Sequence, residues 1–309
     1  MQIFRQLNKL PDFQNTVITI GTYDGVHLGH QQIIKRINHI AQKVNGESLL
    51  VTFHPHPRLV VNSNYNIKLL SPLEEKFDLL RQYGIDNVVV VPFTREFSQQ
   101  EPQAYVTDFL VKNFNPHTIV IGYNHRFGKN RGGDLHLMQE IAQKHDFSVE
   151  QISKQEIENL SISSTKIRKA LQAGDVETAI QLLGHEYFVR GIVVKGKQLG
   201  QKIGFPTANL AIPSAEKLVP DNGVYAVRVK VKKQFFNGML NIGWRPTVAG
   251  KSQTVEVHIF NFDKDIYGET IQINFVKLIR RERKFENLEG LILQLKKDKI
   301  AILNILNAV

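Results

Sequence analysis

The sequence predicts an α/β domain built on a parallel sheet over residues 1–184, followed by an antiparallel β-barrel with a terminal helix over residues 185–309. Three observations lead there. Short β-branched apolar runs alternate with helix-period segments through the first half of the chain. From Tyr187 onward that alternation gives way to extended runs separated by Gly, Pro, Asn and Asp turns. A length of 309 residues, 42% of them hydrophobic, is enough for two cores.

In the first half, VITI (17–20), LLVTF (49–53), NVVVV (87–91) and TIVI (118–121) read as buried strands. Between the first two lies HQQIIKRINHIAQKV, whose Ile33, Ile34, Ile37, Ile40 and Val44 share one helical face. Strand and helix in repetition imply a parallel sheet covered on both faces, with ligands beyond the carboxyl ends of the strands. A helix is expected from near Ser164, capped by Ser163-Ser164-Thr165, to near Gly174; Asp175 then caps DVETAIQLL, which stops at Gly184. The later runs YFVRGIVVKG, VYAVRVKVKK, FFNGMLNIG, TVEVHIFNF and IQINFVKLI suggest five or six short strands of a small barrel. The amphipathic segment NLEGLILQLKKDKIAILNIL follows them.

The chain has no cysteine, which excludes disulfides, thiolate metal sites and cysteine nucleophiles. The N-terminus MQIFRQLNKLPDF lacks an apolar leader core, and no run reaches the roughly 18 to 20 apolar residues of a membrane span. A cytoplasmic protein without a membrane role is expected. The formal charge of +10 favours anionic partners. Its basic residues are dispersed, as in VRVKVKK and LIRRERKF, with no arginine-rich tail. That favours phosphorylated small molecules over nucleic acid, a solvated basic surface being the plain alternative. Nothing points to an obligate protein partner.

The segment TIGTYDGVHLGHQQ leaves the first strand and opens the first helix. His27 and His30 are three apart, so both project from the first helical turn, where free N–H groups and the dipole favour an anion. Two imidazoles there suit nucleotide phosphates, and Gly21, Gly25 and Gly29 let the backbone come close. Adenylyl transfer to a phosphate oxygen needs no enzyme nucleophile, only alignment and charge neutralisation. A metal pair or a plain surface remains the alternative for an isolated HxxH. No GxGxxG loop is present, and GIVVKGK (191–197) fails as a phosphate loop because Gln198 replaces Ser or Thr and the run lies in a strand.

GTYDGVHLGH resembles the GxFDGxHxGH signature of the nucleotidyltransferase superfamily, and SISSTKIRKAL its ISSTxIR signature. With TFHPHP and GYNHRFGKNRGGD in that order, this half resembles the adenylyltransferase module of the bacterial bifunctional riboflavin kinase/FMN adenylyltransferase family. The resemblance implies a Rossmann-like sheet in which His27 and His30 stabilise the ATP phosphates, with Asp24 in the same loop. It further implies phosphate contacts from Ser164, Thr165 and Arg168, and a flavin or nucleotide contact from Asn124. Tyr23 departs from the usual Phe, and Asn124 from a frequent Asp. In TFHPHP, His54 and His56 have a metal-like spacing, but no third ligand cluster accompanies them, which favours a loop of the nucleotide site. Lys129 and Arg131 read equally as a solvated loop edge or a phosphate clamp.

The second half carries GIVVKGKQLGQKIGFPTANL. Residues two apart in an extended segment face one side, so the Thr207 hydroxyl and the Asn209 amide oxygen can meet one cation. Mg²⁺ takes such hard oxygens and fills its remaining positions with water and substrate phosphates. A kinase acting on an alcohol also needs one carboxylate to orient and deprotonate it. This half resembles riboflavin kinase, a six-stranded antiparallel barrel, through GFPTAN, PDNGVYAV, NIGWRPTV, VEVHIFNFDKDIYGE and LIRRERKFENLEGL. The resemblance implies Glu256 as base for the ribityl 5′-hydroxyl, and Thr207 with Asn209 at magnesium. It places Gly196 and Lys202 at the phosphates, Lys202 compensating for Gln201 where Arg is frequent, and Arg280 and Glu282 near the flavin. The plain alternatives are a surface ion pair for Glu256 and a solvated face for Arg280. Asp263, Asp265 and Glu269 compete as the base but read as turn formers.

The resemblance therefore implies ATP-dependent phosphorylation of riboflavin to FMN, then adenylylation of FMN to FAD with release of pyrophosphate. Two rivals remain: a single-activity enzyme with one degenerate module, and a basic nucleic-acid-binding protein that reuses the barrel.

Overall fold

The computed structural model describes residues 1–62, 67–153, 162–196, 198–247 and 250–307. The chain forms two compact units, Met1–Ser163 and Ser164–Val309.

In the first unit, β1 (Gln2–Phe4), β2 (Thr16–Ile20), β3 (Ser48–His54), β4 (Asn87–Pro92), β5 (Pro116–Gly122) and β6 (Ser148–Ile152) make one parallel sheet in the order β1-β4-β3-β2-β5-β6. All five residues of β2 are buried, as a central strand covered on both faces requires. Helix α1 (Leu28–Lys43) lays Ile33, Ile34, Ile37 and Ala41 against β2, β3 and β5. Successive strands add to one side of β2 up to β4, whereas β5 and β6 add to the other. The order thus reverses between β2 and β5, and the crevice at their carboxyl ends is where such sheets bind ligands. The four anticipated strands are present. The edge strands β1 and β6 escape a periodicity reading: β1 has three residues, and β6 (SVEQI) buries only Ile152.

In the second unit, β7 (Phe188–Val194), β8 (Ala208–Ala211), β9 (Gly223–Val231), β10 (Gln234–Thr247), β11 (Gly250–Ile259) and β12 (Thr270–Arg280) close into an antiparallel barrel in the order β10-β11-β8-β7-β12-β9. The pleat of β11 puts Val255 and Val257 on one face and Glu256 and His258 on the other. The terminal helix Leu288–Asn307 packs on β9, β10 and β12 through Ile302 and Leu306.

Of the helices Ser164–Gln172 and Val176–Leu183, the second has its expected caps: Asp175 accepts from the Thr178 N–H at 3.0 Å, and Gly184 turns left-handed at φ +73°. Both helices pack against the barrel. The Asp221 N–H donates to the Leu171 carbonyl at 3.0 Å, Arg281 donates to the Ala173 carbonyl at 2.8 Å, and Lys277 on β12 pairs with Glu177 at 2.9 Å. Gly174, at φ +79°, lets the turn between the helices approach Leu278 and the Tyr225 hydroxyl. The helix pair therefore belongs to the compact unit of the barrel. Among the described residues, no helix is long and apolar enough to cross a membrane.

Candidate active sites

The loop between β2 and α1 is shaped by three left-handed residues, Tyr23 (φ +47°), Gly25 (φ +82°) and Val26 (φ +40°). For the β-branched Val26 this is a strained conformation, of the kind that accumulates at binding sites. The strain is held in place by buried hydrogen bonds. Asp24 accepts from the N–H groups of Leu70 (3.2 Å) and Ser71 (3.0 Å), and the Gly25 N–H donates to the Ser71 hydroxyl at 2.8 Å. Asp24, only 2% exposed, is thus an anchor of the loop. Tyr23, which stands where Phe is usual, pairs its hydroxyl with Thr19 at 2.6 Å, and its ring lies 3.0 Å from where a Cβ on Gly21 would stand.

His27 is the N-cap of α1, its Nδ1 accepting from the His30 N–H at 3.3 Å. The two imidazoles stack at 3.6 Å with a 14° interplanar angle, and the Tyr23 ring lies 4.7 Å from His30, tilted by 42°. Burial, then the charges of His27 and Lys76, hold His30 well below the usual histidine range. Its Nδ1 is buried without a hydrogen-bond partner among the described residues. A polyanion arriving at this helix terminus would favour the protonated rings and supply the missing acceptor. Gly29 is buried in the first turn of the same helix.

Sequence reasoning missed Lys76. It lies on the buried face of helix Leu73–Gln82, and its Nζ donates to the Thr22 carbonyl at 2.6 Å and approaches the Thr52 hydroxyl at 3.4 Å. Burial brings its pKa down to about 8, against an opposing pull from Asp24. The available signal was a lysine three and four residues before Leu79 and Leu80, on the apolar stripe of its helix.

After β5, Asn124 is exposed in a turn and His125 beside it is partly buried. The His125 Nε2 is buried and has no hydrogen-bond partner among the described residues. Lys129 pairs with Glu101 at 3.1 Å, and the His56 Nδ1 accepts from the Arg58 N–H at 3.2 Å, capping helix Pro57–Val61. Among the described residues, no group of three His, Cys, Asp or Glu side chains gathers to hold a metal. Ser164, Thr165 and Arg168 open the first helix of the second unit, with Arg168 buried.

In the barrel, Glu256 on β11 is in register with Asn209 on β8 and Asn241 on β10. The Thr207 hydroxyl points at the Glu256 carboxylate, 3.5 Å away. Two hard oxygen donors thus stand beside one carboxylate, a set that fits a magnesium ion completed by phosphate and water. Gly196 makes room for this: a Cβ there would lie 2.2 Å from the Asn209 amide nitrogen. Lys202 is exposed at the end of the short Leu199–Lys202 helix. Glu282 reaches over Gly243, where a Cβ would meet its carboxylate at 2.4 Å and the Asn241 amide at 3.4 Å. The Arg280 side chain is mostly buried, 18% exposed. Its guanidinium holds the buried Asp298 of the terminal helix at 2.9 Å.

Two family models match the chain in series, FAD synthetase over residues 9–166 and riboflavin kinase over residues 183–306. The bifunctional riboflavin kinase/FMN adenylyltransferase of Listeria monocytogenes is 40% identical over 92% of this chain and 90% of its own, and that of Bacillus subtilis 38% identical over the same shares. The chain belongs to the bifunctional riboflavin kinase/FMN adenylyltransferase family. A solved structure described as a macrolide-efflux protein from Streptococcus pneumoniae superposes with a TM-score of 0.87 at 28% identity, covering 98% of each chain. The efflux role in that protein's name is not carried over, because both halves of this chain match the flavin-enzyme family. Residues 167–182, most of the helix pair on the barrel, fall between the two family matches.

The buried histidines of the adenylyltransferase module give it an acid-sensitive stability. Burial, then Arg131, brings His125 down from 6.5 to about 4, and His30 is depressed as well. The unfolded chain therefore takes up protons first, so stability present above about pH 6.5 is lost as the pH falls toward 4. His125 alone accounts for about 3 kcal/mol across that window. Thermal unfolding followed from about pH 7 to pH 4.5 should show a falling Tm for this module, with a shallower slope in His125→Gln. A Tm unchanged over that range would contradict the assignment.

Proposed function

We propose that the stacked pair His27 and His30 binds and neutralises ATP phosphates during adenylylation of FMN. Glu256 takes the proton of the ribityl 5′-hydroxyl during phosphorylation of riboflavin. The observation that carries the reading is the register of Asn209 and Glu256 on adjacent strands, with the Thr207 hydroxyl turned to the same carboxylate. A base beside metal-binding oxygens is what phosphoryl transfer to an alcohol demands. Thr207 and Asn209 would hold Mg²⁺, which when bound neutralises charge on the transferring phosphates. Glu256 orients and deprotonates the alcohol, Gly196 leaves space for Asn209, and Lys202 attracts phosphate in place of the arginine lost at Gln201. Glu282, above Gly243 and Asn241, contacts the flavin. Asn124 contacts flavin or nucleotide at the end of β5. The protein works in the cytoplasm on small molecules, with no nucleic-acid, membrane or obligate protein partner.

Incubation with riboflavin, ATP and Mg²⁺ followed by HPLC should give FMN and then FAD. FMN alone would favour a degenerate adenylyltransferase module. Salt-dependent RNA retention without flavin turnover would favour the nucleic-acid reading.

Separability is expected as well, with domains at 1–184 and 185–309 by motif content. A fragment of residues 1–184 carries all four adenylylation motifs and should convert FMN to FAD. Residues 164–309 should make FMN and stop there. Residues 185–309 should do the same but unfold at lower temperature, because they lose the Leu171 and Ala173 carbonyl contacts and the Lys277–Glu177 pair. Equal melting temperatures for the two barrel fragments would deny the helix pair a stabilising role.

A further inference from the structure

Two residues beyond Glu256 on β11, and on the same face, stands His258, 8% exposed. Its Nδ1 lies 2.7 Å from the carbonyl oxygen of Pro206, the residue immediately before Thr207. A carbonyl only accepts, so Nδ1 carries the proton and the tautomer is fixed. The ring is wedged between Phe205, at 5.3 Å, and Phe260, at 5.4 Å, both edge-on. The Pro206 carbonyl and the Thr207 nitrogen share one planar peptide, so a bond to the carbonyl sets the plane from which Thr207 departs. Beyond Thr207, Ala208 and Asn209 are already fixed by the ladder to Val257 and Glu256. Thr207 is the member of the cluster outside that ladder, and His258 is the side chain that holds the peptide leading into it.

We propose that His258 is a positioning residue for riboflavin phosphorylation, clamping the Pro206–Thr207 peptide so that the Thr207 hydroxyl keeps its place between Glu256 and the metal-binding amide of Asn209. The proposal rests on the roles given above to Thr207, Asn209 and Glu256. It assigns His258 no contact with substrate. One strand then supplies both the base and the part that spaces the metal ligands from it.

The test uses the full chain, assaying riboflavin phosphorylation against Mg²⁺ concentration, with FMN adenylylation as an internal control and thermal unfolding as a check on the fold. His258→Phe keeps a ring of similar size but loses the donor. His258→Asn places an amide N–H near the position of Nδ1, whereas His258→Gln carries its amide one bond further out. Loss of the bond in His258→Phe should raise the Mg²⁺ needed for half-maximal phosphorylation by about tenfold and lower kcat, with FAD formation from FMN unchanged. His258→Asn should recover to within about threefold, while His258→Gln should not, since the donor must sit at the Nδ1 position. Wild-type Mg²⁺ dependence in His258→Phe would overturn the proposal. So would equal impairment of the Asn and Gln variants with unfolding transitions like the wild type, since packing alone would then explain the loss. If His258→Phe fails to fold, the Asn and Gln pair decides by the same criterion. Glu256→Gln run in parallel separates the failures: if it phosphorylates normally, the site reading falls and takes this proposal with it. If it is impaired while His258→Phe is not, only the clamp is wrong.

Discussion

Glu256→Gln is expected to lower riboflavin phosphorylation by roughly 10² to 10⁴-fold, the range for loss of a positioned general base. The substitution is nearly isosteric and keeps an acceptor for the Thr207 hydroxyl, and the ladder pairs to Asn209 and Asn241 run through the backbone. The barrel should therefore stay folded and flavin should still bind. Two of the three competing carboxylates have other work. Asp265 accepts from the Tyr267 N–H at 2.9 Å and Glu269 pairs with Lys232 at 3.0 Å, as turn residues do. Initial rates of FMN formation, with FAD formation from FMN as control, give the answer. A loss at Asp263 or Glu269 with Glu256 silent would move the base to that residue.

His30→Ala should cut FAD formation by about 10²-fold or more, as when one donor is lost from a preorganised anion site, so that FMN accumulates when riboflavin is the starting flavin. His30 is a cleaner probe than His27. The His27 side chain also caps α1 by accepting from the His30 N–H, and loss of a cap costs roughly 0.5–2 kcal/mol of stability. His30 caps nothing, and its Nδ1 has no hydrogen-bond partner to lose among the described residues. An assay started from FMN isolates the step. Unchanged FAD output there would remove His30 from the phosphate site.

What could be read in the sequence was what is local. The four central strands announce themselves by β-branched runs, and the caps at Asp175 and Gly184 by residue type. His27 and His30 follow from helical spacing at a predicted helix start, and Asn209 and Glu256 from motif resemblance. What the sequence hid was tertiary. Where the helix pair packs depends on carbonyls of Leu171 and Ala173 meeting residues about 50 and 108 positions away. That Asp24 holds Leu70 and Ser71, and that Gly196 admits Asn209, is likewise visible only in the folded chain. Arg280 could not be separated from a solvated face without knowing that Asp298 arrives from the terminal helix. Lys76 and His258 meet backbone carbonyls at Thr22 and Pro206, a partnership that no spacing encodes.

The edge strands of the parallel sheet have a bearing on solubility. An unpaired strand margin is a template on which another chain can dock, and proteins guard against it by shortness and charge. Both guards are in place. β1 offers only three residues, and β6 carries Glu150, whose carboxylate is held by the Arg36 guanidinium from α1. The barrel closes its six strands into a ring, which removes the two free ends that an open sheet has. The shortness of β1 and the charge on β6, which hide both strands from a hydrophobicity pattern, are thus also features that oppose edge-to-edge pairing with another chain.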